Sequence, residues 1–190
     1  DITTNENTIT AAFNGSAVVT LLDGDKVLDR QNVQNNAIFT VAEPRFWNAE
    51  QPYLYTLRIE SCGEVISQKV GLRTVSISRS GQLLINGVSV KLKGVNRHDT
   101  HPTNGWTMTD EEILAELRLM KQLNINCIRT SHYPPCPKML EYCDALGFYV
   151  ILEADLETHG FCKRFGNGLK DPGYDVESPF VRSRSGNTSM

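Results

Sequence analysis

The second half of the chain alternates between strand-like and helix-like segments, and this alternation constrains the fold more than any other feature of the sequence. A capping box, Thr109 with Glu112 three residues later, predicts the start of a helix that carries one buried apolar stripe. A second helix is predicted from Pro137 to Gly147, because proline favours the first helical turn and glycine the C-terminal cap. Short apolar segments precede, separate and follow these helices. The order βαβαβ predicts three parallel strands of a barrel or an open sheet.

The three parallel strands are predicted at residues 91–95, 127–129 and 148–152. The last segment is an uninterrupted apolar run, which is typical of a strand buried on both faces of a parallel sheet. Just before the first strand, Asn86-Gly87 lies between two short apolar segments and predicts a two-residue hairpin.

Residues 1–75 show a different pattern, with short strands at close spacing and no helical stretch between them. This pattern favours an immunoglobulin-like β-sandwich. We therefore predict two domains, a sandwich over residues 1–75 and an α/β domain over residues 76–190, with an irregular tail over residues 162–190. The strands of the sandwich are predicted at residues 17–22, 26–28, 37–41, 53–60 and 65–70.

Composition excludes several classes of partner. Nineteen Lys and Arg against 22 Asp and Glu give a net charge of −3, so we expect no nucleic-acid partner. No apolar run approaches the roughly 18 residues of a membrane span, so we expect no membrane partner. The chain begins at Asp1, which indicates that the native N-terminus is absent; we expect a cytoplasmic protein, although this start does not determine the location. Five scattered cysteines without a CxxC pair indicate reduced thiols; they are Cys62, Cys127, Cys136, Cys143 and Cys162.

Polar clusters follow the end of each predicted parallel strand, at residues 96–99, 130–133 and 153–159. In parallel α/β folds, the carboxyl ends of the strands meet at one edge, where catalytic and binding groups lie. The sequence therefore predicts a functional site at this edge. All four histidines of the chain fall in these loops: His98, His101, His132 and His159.

Six short blocks in series carry a resemblance to a known family: Phe46–Tyr55, Gly71–Arg73, Leu83–Gly87, Lys93–Asp99, Arg129–Pro134 and Glu153–Phe161. Over about residues 40–161 they resemble the β-galactosidases of glycoside hydrolase family 2. The resemblance implies the end of an immunoglobulin-like β-sandwich followed by the first βα units of an incomplete (β/α)8 TIM barrel. It also implies hydrolysis of terminal, non-reducing β-D-galactosides by a retaining mechanism with two glutamates in the full-length parent.

The same resemblance implies roles for individual residues. It implies two protein ligands of an active-site Mg²⁺, with a monovalent cation also expected in the parent. Many relatives carry Asp-Glu where this chain has Leu152-Glu153, and we expect a structural hydrogen-bonding role for Glu153. The implied substrate-binding residues are His98, His132, His159, Asn96 and Arg129, and the implied metal ligands are Glu157 and His159.

Neither catalytic glutamate of the resemblance has a match in this chain, because no Asn-Glu pair follows His159. About 115 residues follow the predicted sandwich, whereas a complete barrel takes about 250. We therefore expect the isolated chain to be inactive and to associate with the rest of the parent or with further copies of itself.

Two alternative functions stay open at this point. One is a non-catalytic carbohydrate-binding or interaction module, and the other is a β-glucuronidase-type member of the same family. Two residues near the predicted site are also open: His101 is expected to be structural, and Trp106 either stacks on a sugar or packs within its loop.

Overall fold

The computed structural model describes residues 1–155, and the first 70 of them form one antiparallel sheet. The long strand β2 is its centre, because it pairs with β1, β3 and β4, and β4 pairs in turn with β5. The strands are β1 (Ile2–Asn5), β2 (Thr8–Asp23), β3 (Lys26–Thr40), β4 (Tyr55–Ser61) and β5 (Glu64–Val70).

The pairing of β2 with β3 is interrupted near the middle of β2. The register with β3 shifts between Ala12 and Ser16, where Gly15 adopts a φ of 96°. Buried residues on both sides of this irregularity, including Ile9 and Val19, pack into one core. The core also receives Phe39, Tyr55, Leu57, Val70 and Leu72 from the rest of the sheet and the segment after it.

The prediction of two separate strands at residues 26–28 and 37–41 is wrong, because Lys26–Thr40 is one continuous strand. The intervening residues 29–36 are polar apart from Val33 and mostly exposed, so they lack the apolar alternation that indicates a strand. Backbone pairing with β2 maintains the strand through this segment, and such pairing is a tertiary contact.

A small three-stranded sheet follows, made of β6 (Val75–Ile77), β7 (Leu83–Ile85) and β8 (Val88–Ser89). The predicted hairpin between β7 and β8 is confirmed. Asn86 and Gly87 have φ values of 52° and 77°, the left-handed conformation that a two-residue hairpin turn of this class requires.

The α/β part of the chain contains three parallel strands in the order β11-β10-β9, as the βαβαβ pattern predicts. The capping box of Thr109 and Glu112 is present, and Gly147 ends the second helix at a φ of 81°. Within residues 1–155, neither helix has the length and apolar character needed to cross a lipid bilayer. The elements are β9 (Gly94–Arg97), α1 (Asp110–Gln122), β10 (Cys127–Thr130), α2 (Pro137–Leu146) and β11 (Tyr149–Ile151).

Two details of the predicted strands are wrong. The first parallel strand begins at Gly94, so residues 91–93 lie outside it. The last strand is not buried on both faces, since Ile151 and Leu152 are 47% and 57% exposed. Within the described part of the chain β11 is the edge of its sheet, and an edge strand covers its apolar side chains less completely.

The segment after β3 fastens the antiparallel sheet to the α/β part. The buried indole of Trp47 donates a hydrogen bond from Nε1 to the carbonyl oxygen of Asp144, at 2.7 Å. Lys121 Nζ donates to the carbonyl oxygens of Ala49 and Gly147, both at 3.0 Å. These contacts hold the end of α2 and the segment that leads into β11.

Candidate functional site

The carboxyl ends of β9 and β10 bring predicted site residues side by side. The parallel register pairs Arg129 with Asn96 on β9 and with Ile151 on β11. The side chains of Arg129 and Asn96 are in contact, with Nη1 of the arginine 3.4 Å from Oδ1 of the asparagine. Strand register, a property of the backbone, therefore brings these two groups to the same place.

Glu153 links the guanidinium of Arg129 to the imidazole of His132. Arg129 Nε donates to Glu153 Oε1 at 2.6 Å, and Nη2 of the same side chain pairs with that oxygen as well. The second carboxylate oxygen lies 3.1 Å from His132 Nδ1. The hydrogen bond from Arg129, followed by that from His132, holds the pKa of Glu153 below its usual range. Glu153 is therefore a carboxylate at neutral pH.

The imidazoles of His98 and His132 face each other at the ends of adjacent strands. Their ring centroids are 5.6 Å apart, the rings are nearly perpendicular, and both residues are exposed. The structure therefore brings together four of the sequence-predicted residues: Asn96, His98, Arg129 and His132. The other two, Glu157 and His159, lie outside the described residues.

A buried ion network beneath these histidines was not predicted from the sequence. The side chain of Arg97 is 5% exposed and binds the carboxylates of Asp99 and Glu116, with Nε donating to Glu116 Oε2 at 3.0 Å. Burial alone would lower the pKa of Arg97, but the hydrogen bond with Asp99 and the charge of Glu116 raise it above its ordinary value. Arg97 is thus a fixed positive charge within the fold.

Asp99 extends this network to the loop that carries His132. Its Oδ2 accepts a hydrogen bond from the backbone N–H of Cys136, at 3.1 Å, just before α2. Its own backbone N–H donates to the hydroxyl of Tyr133 at 3.2 Å. Since His98 lies between Arg97 and Asp99 in the chain, the network fixes both histidine-bearing loops relative to each other. An arginine at the end of a strand, with an acidic residue two positions later, was the available sequence signal.

His101 lies in a local structural arrangement. Its Nε2 is 3.0 Å from Glu112 Oε1, and its Nδ1 accepts hydrogen bonds from the backbone N–H groups of Thr103 and Asn104. One ring nitrogen is thus engaged by the loop that leads to α1 and the other by the first turn of α1.

Comparison with known proteins shows the family to which this chain belongs. The family model described as the TIM barrel domain of glycosyl hydrolases family 2 matches residues 75–182, and a further model of glycosyl hydrolases family 2 matches residues 3–73. The chain belongs to glycosyl hydrolase family 2. Its fold is accordingly an immunoglobulin-like domain followed by the start of a TIM barrel, as the sequence pattern and resemblance predict.

The curated relatives in this family include β-galactosidases. The chain is 48% identical over 143 residues to a β-galactosidase of Staphylococcus xylosus, and the matched region covers 75% of this chain and 14% of that protein. It is 51% identical over 120 residues to a β-galactosidase of Actinobacillus pleuropneumoniae, and this matched region covers 63% of this chain and 12% of that protein. The chain thus spans a small part of the length of the curated relatives that it matches.

A solved structure of the family supports the same fold. A β-glucuronidase of Faecalibacterium prausnitzii superposes with a TM-score of 0.73 at 27% identity, covering 80% of this chain and 27% of that one. This chain contributes its cluster of polar side chains at the carboxyl ends of the first strands of the barrel. Imidazole, guanidinium and amide groups at such an edge can bind sugar hydroxyls in several directions.

Proposed function

We propose that this chain is part of a β-galactosidase, which hydrolyses terminal, non-reducing β-D-galactosides with retention of configuration. The observation that supports this most directly is the pair of imidazoles, His98 and His132, 5.6 Å apart at the ends of adjacent parallel strands. The galactoside is preferred over other glycosides because the more similar relatives are β-galactosidases.

His98 and His132 would bind the hydroxyl groups of the galactosyl unit. Glu153 accepts a hydrogen bond from Nδ1 of His132, so Nε2 is the nitrogen of that ring that would bind the sugar. A retaining glycosidase passes through an oxocarbenium-like transition state, and hydrogen bonds to the sugar hydroxyls strengthen as charge develops. Arg129 and Asn96, which are in contact at 3.4 Å, would hold this arrangement in place and bind further hydroxyl groups of the sugar.

The two glutamates of the retaining mechanism are proposed to lie outside this chain, since no Asn-Glu pair follows His159 in the sequence. The isolated 190-residue chain is therefore expected to release no chromophore from a chromogenic β-galactoside. Turnover well above a blank would contradict this part of the proposal.

Glu157 and His159 are proposed ligands of Mg²⁺, with a monovalent cation as a further expected component of the parent. Residues 1–155 contain no cluster of three or more His, Cys, Asp or Glu side chains that could hold a metal ion. A carboxylate such as Glu157 is the type of ligand that Mg²⁺ prefers. Bound Mg²⁺ would supply a fixed positive charge beside the sugar. Titrating Mg²⁺ into the chelator-treated parent, with melting temperature measured with and without galactose, tests these ligands.

The central experiment uses the full-length parent protein and two chromogenic substrates, a β-galactoside and a β-glucuronide. We expect turnover of the galactoside, and a loss of about 100-fold or more in kcat/KM when His98 or His132 is changed to alanine. His101→Ala is the matched control and should retain most activity, because His101 is engaged with Glu112.

Other outcomes would identify the alternatives. Preferential turnover of the glucuronide would favour a β-glucuronidase, which is the activity named for the solved relative at 27% identity. Galactose binding without turnover by the complete protein would favour a non-catalytic carbohydrate-binding module. Either result would contradict the proposed function.

We also propose that the chain associates with the rest of the parent or with further copies. Among residues 1–155, β11 is at the edge of the parallel sheet and the apolar side chains of Ile151 and Leu152 are exposed, which supports this because such an edge favours pairing with another strand. A cytoplasmic location is proposed as well, supported by the free thiols of Cys62, Cys127, Cys136 and Cys143. Light scattering of the purified chain tests the association.

A further inference from the structure

Trp106 is a large apolar side chain held at the surface. It is 73% exposed, whereas Trp47, the other tryptophan of the chain, is 1% exposed. A single exposed leucine or valine needs no explanation, but a tryptophan loses considerable hydrophobic stabilisation when it stays in water. An exposed tryptophan beside a candidate site therefore suggests contact with a ligand.

The position of this indole is fixed by an aromatic neighbour. Its ring stacks on that of Tyr133, with centroids 5.4 Å apart and an angle of 26° between the ring planes. Tyr133 is itself held, because its hydroxyl accepts a hydrogen bond from the backbone N–H of Asp99. One indole face thus packs on Tyr133, and the large exposed fraction leaves the rest of the ring available.

An unbroken row of rings connects Trp106 with the candidate site. The ring of Tyr133 lies 5.8 Å from that of His98, and His98 lies 5.6 Å from His132. We propose that Trp106 is a stacking platform for the leaving-group sugar of a β-galactosyl disaccharide. This inference rests on the proposed function. A second sugar is required because Trp106 lies two ring-to-ring contacts away from His98 and three away from His132, the histidines proposed to hold the galactosyl unit.

The surroundings of Trp106 favour a sugar over a protein partner. Its exposed neighbours Thr103, Asn104 and Thr107 are polar, so the indole is an isolated aromatic surface without a wider apolar patch. Protein interfaces need a larger buried core, whereas a pyranose presents one C–H face of about the size of an indole. The electron-rich face of the indole attracts such C–H groups, and the nearby hydroxyl and amide groups can bind the hydroxyls at the sugar edge.

The test compares lactose with methyl β-galactoside in the full-length parent. Methyl β-galactoside carries a methyl group in place of the second sugar, so it serves as the substrate without a second ring. Trp106→Ala should lower kcat/KM for lactose about tenfold and change that for methyl β-galactoside less than about twofold. Trp106→Phe should retain most activity on lactose, because it keeps an aromatic face. Leu123→Ala, at a 65% exposed position just beyond α1, is the control for removing an exposed apolar side chain.

The outcomes separate this inference from the proposed function. Hydrolysis of both substrates by the unmodified protein, with unchanged or equally reduced kinetics in Trp106→Ala, would overturn the leaving-group subsite and leave the β-galactosidase proposal standing. A melting temperature lowered by several degrees in Trp106→Ala would also overturn it, because Trp106 would then be a packing residue. If the unmodified parent hydrolyses neither substrate, the proposed function is wrong and the subsite is rejected with it.

Discussion

Removing the carboxylate of Asp99 should destabilise the fold far more than removing that of Glu116, although both bind Arg97. The side chain of Asp99 is 15% exposed and that of Glu116 is 39% exposed. Removing one partner of a buried ion pair costs about 3–5 kcal/mol, whereas an exposed pair contributes at most about 1 kcal/mol. Arg97 keeps Glu116 in the Asp99→Ala variant, which places the expected loss near the lower limit of the first range, at about 3 kcal/mol.

Asp99 has a second contact that Glu116 lacks. Its carboxylate also accepts the backbone N–H of Cys136, so its removal leaves the start of α2 without this hydrogen bond. We therefore expect Asp99→Ala to lower the free energy of unfolding by about 3 kcal/mol and Glu116→Ala by about 1 kcal/mol or less. With a urea m-value of about 2 kcal/mol per M, the midpoint should fall by about 1.5 M and 0.5 M respectively.

Urea unfolding of the chain, followed by far-ultraviolet circular dichroism, measures both shifts. The double variant Arg97→Met, Asp99→Ala provides the decisive control, because it removes the buried charge that Asp99→Ala leaves with only the more exposed Glu116 as its partner. It should lose less stability than the sum of the two single variants, by about 2 kcal/mol. Equal losses for Asp99→Ala and Glu116→Ala, or strict additivity in the double variant, would refute the buried-network reasoning.

Three further predictions concern other parts of the described chain. Gly147→Ala should cost about 2 kcal/mol or more in urea unfolding, because φ is 81° and the added Cβ would meet the carbonyl group of Ala49; a loss below about 0.5 kcal/mol would contradict this. Burial raises the pKa of the Cys143 thiol to about 12, so the stability gained by keeping this thiol protonated is fully present below about pH 9 and falls by about 1.4 kcal/mol at pH 10. Cys143→Ala should lack this loss of stability between pH 9 and pH 10. Parallel pH profiles of the variant and the unmodified chain would contradict the prediction. The Arg129 hydrogen bond lowers the pKa of Glu153 below its ordinary 4.5. The stability that the ionised Glu153 provides is therefore present above pH 4.5 and is lost as the pH falls through the lowered pKa. Melting temperatures of Glu153→Gln should depend less on pH in the acid range than those of the unmodified chain.

Features that depend on neighbouring residues along the chain were predictable from the sequence. The hairpin at Asn86-Gly87 follows from two residues that tolerate a positive φ, and the start of α1 follows from Thr109 and Glu112. The convergence of His98 and His132 also followed from order alone, because parallel strands place their carboxyl ends at one edge. Local chemistry and topology are both encoded in short stretches of sequence.

Features that depend on distant residues were not predictable. The middle of β3 is a strand because β2 pairs with it, and its polar composition contains no sign of that pairing. The burial of Arg97 depends on Glu116, which arrives from the next helix, and a charged residue in isolation indicates an exposed position. The exposure of Ile151 likewise reflects which strands lie beside β11, and the strand's own composition contains no such information.

The candidate site is held together by contacts between neighbouring strand ends, and this has a consequence for its variants. Arg129 on β10 contacts Asn96 on β9 and Glu153 beyond β11, so it connects all three strands. Asp99 connects the loop after β9 with the start of α2. Substitutions at Arg129 should therefore displace His132, because its partner Glu153 would lose the guanidinium, while the apolar cores stay intact. Loss of sugar binding at nearly unchanged stability is the expected result for Arg129→Ala, in contrast to the loss of folding stability expected for Asp99→Ala.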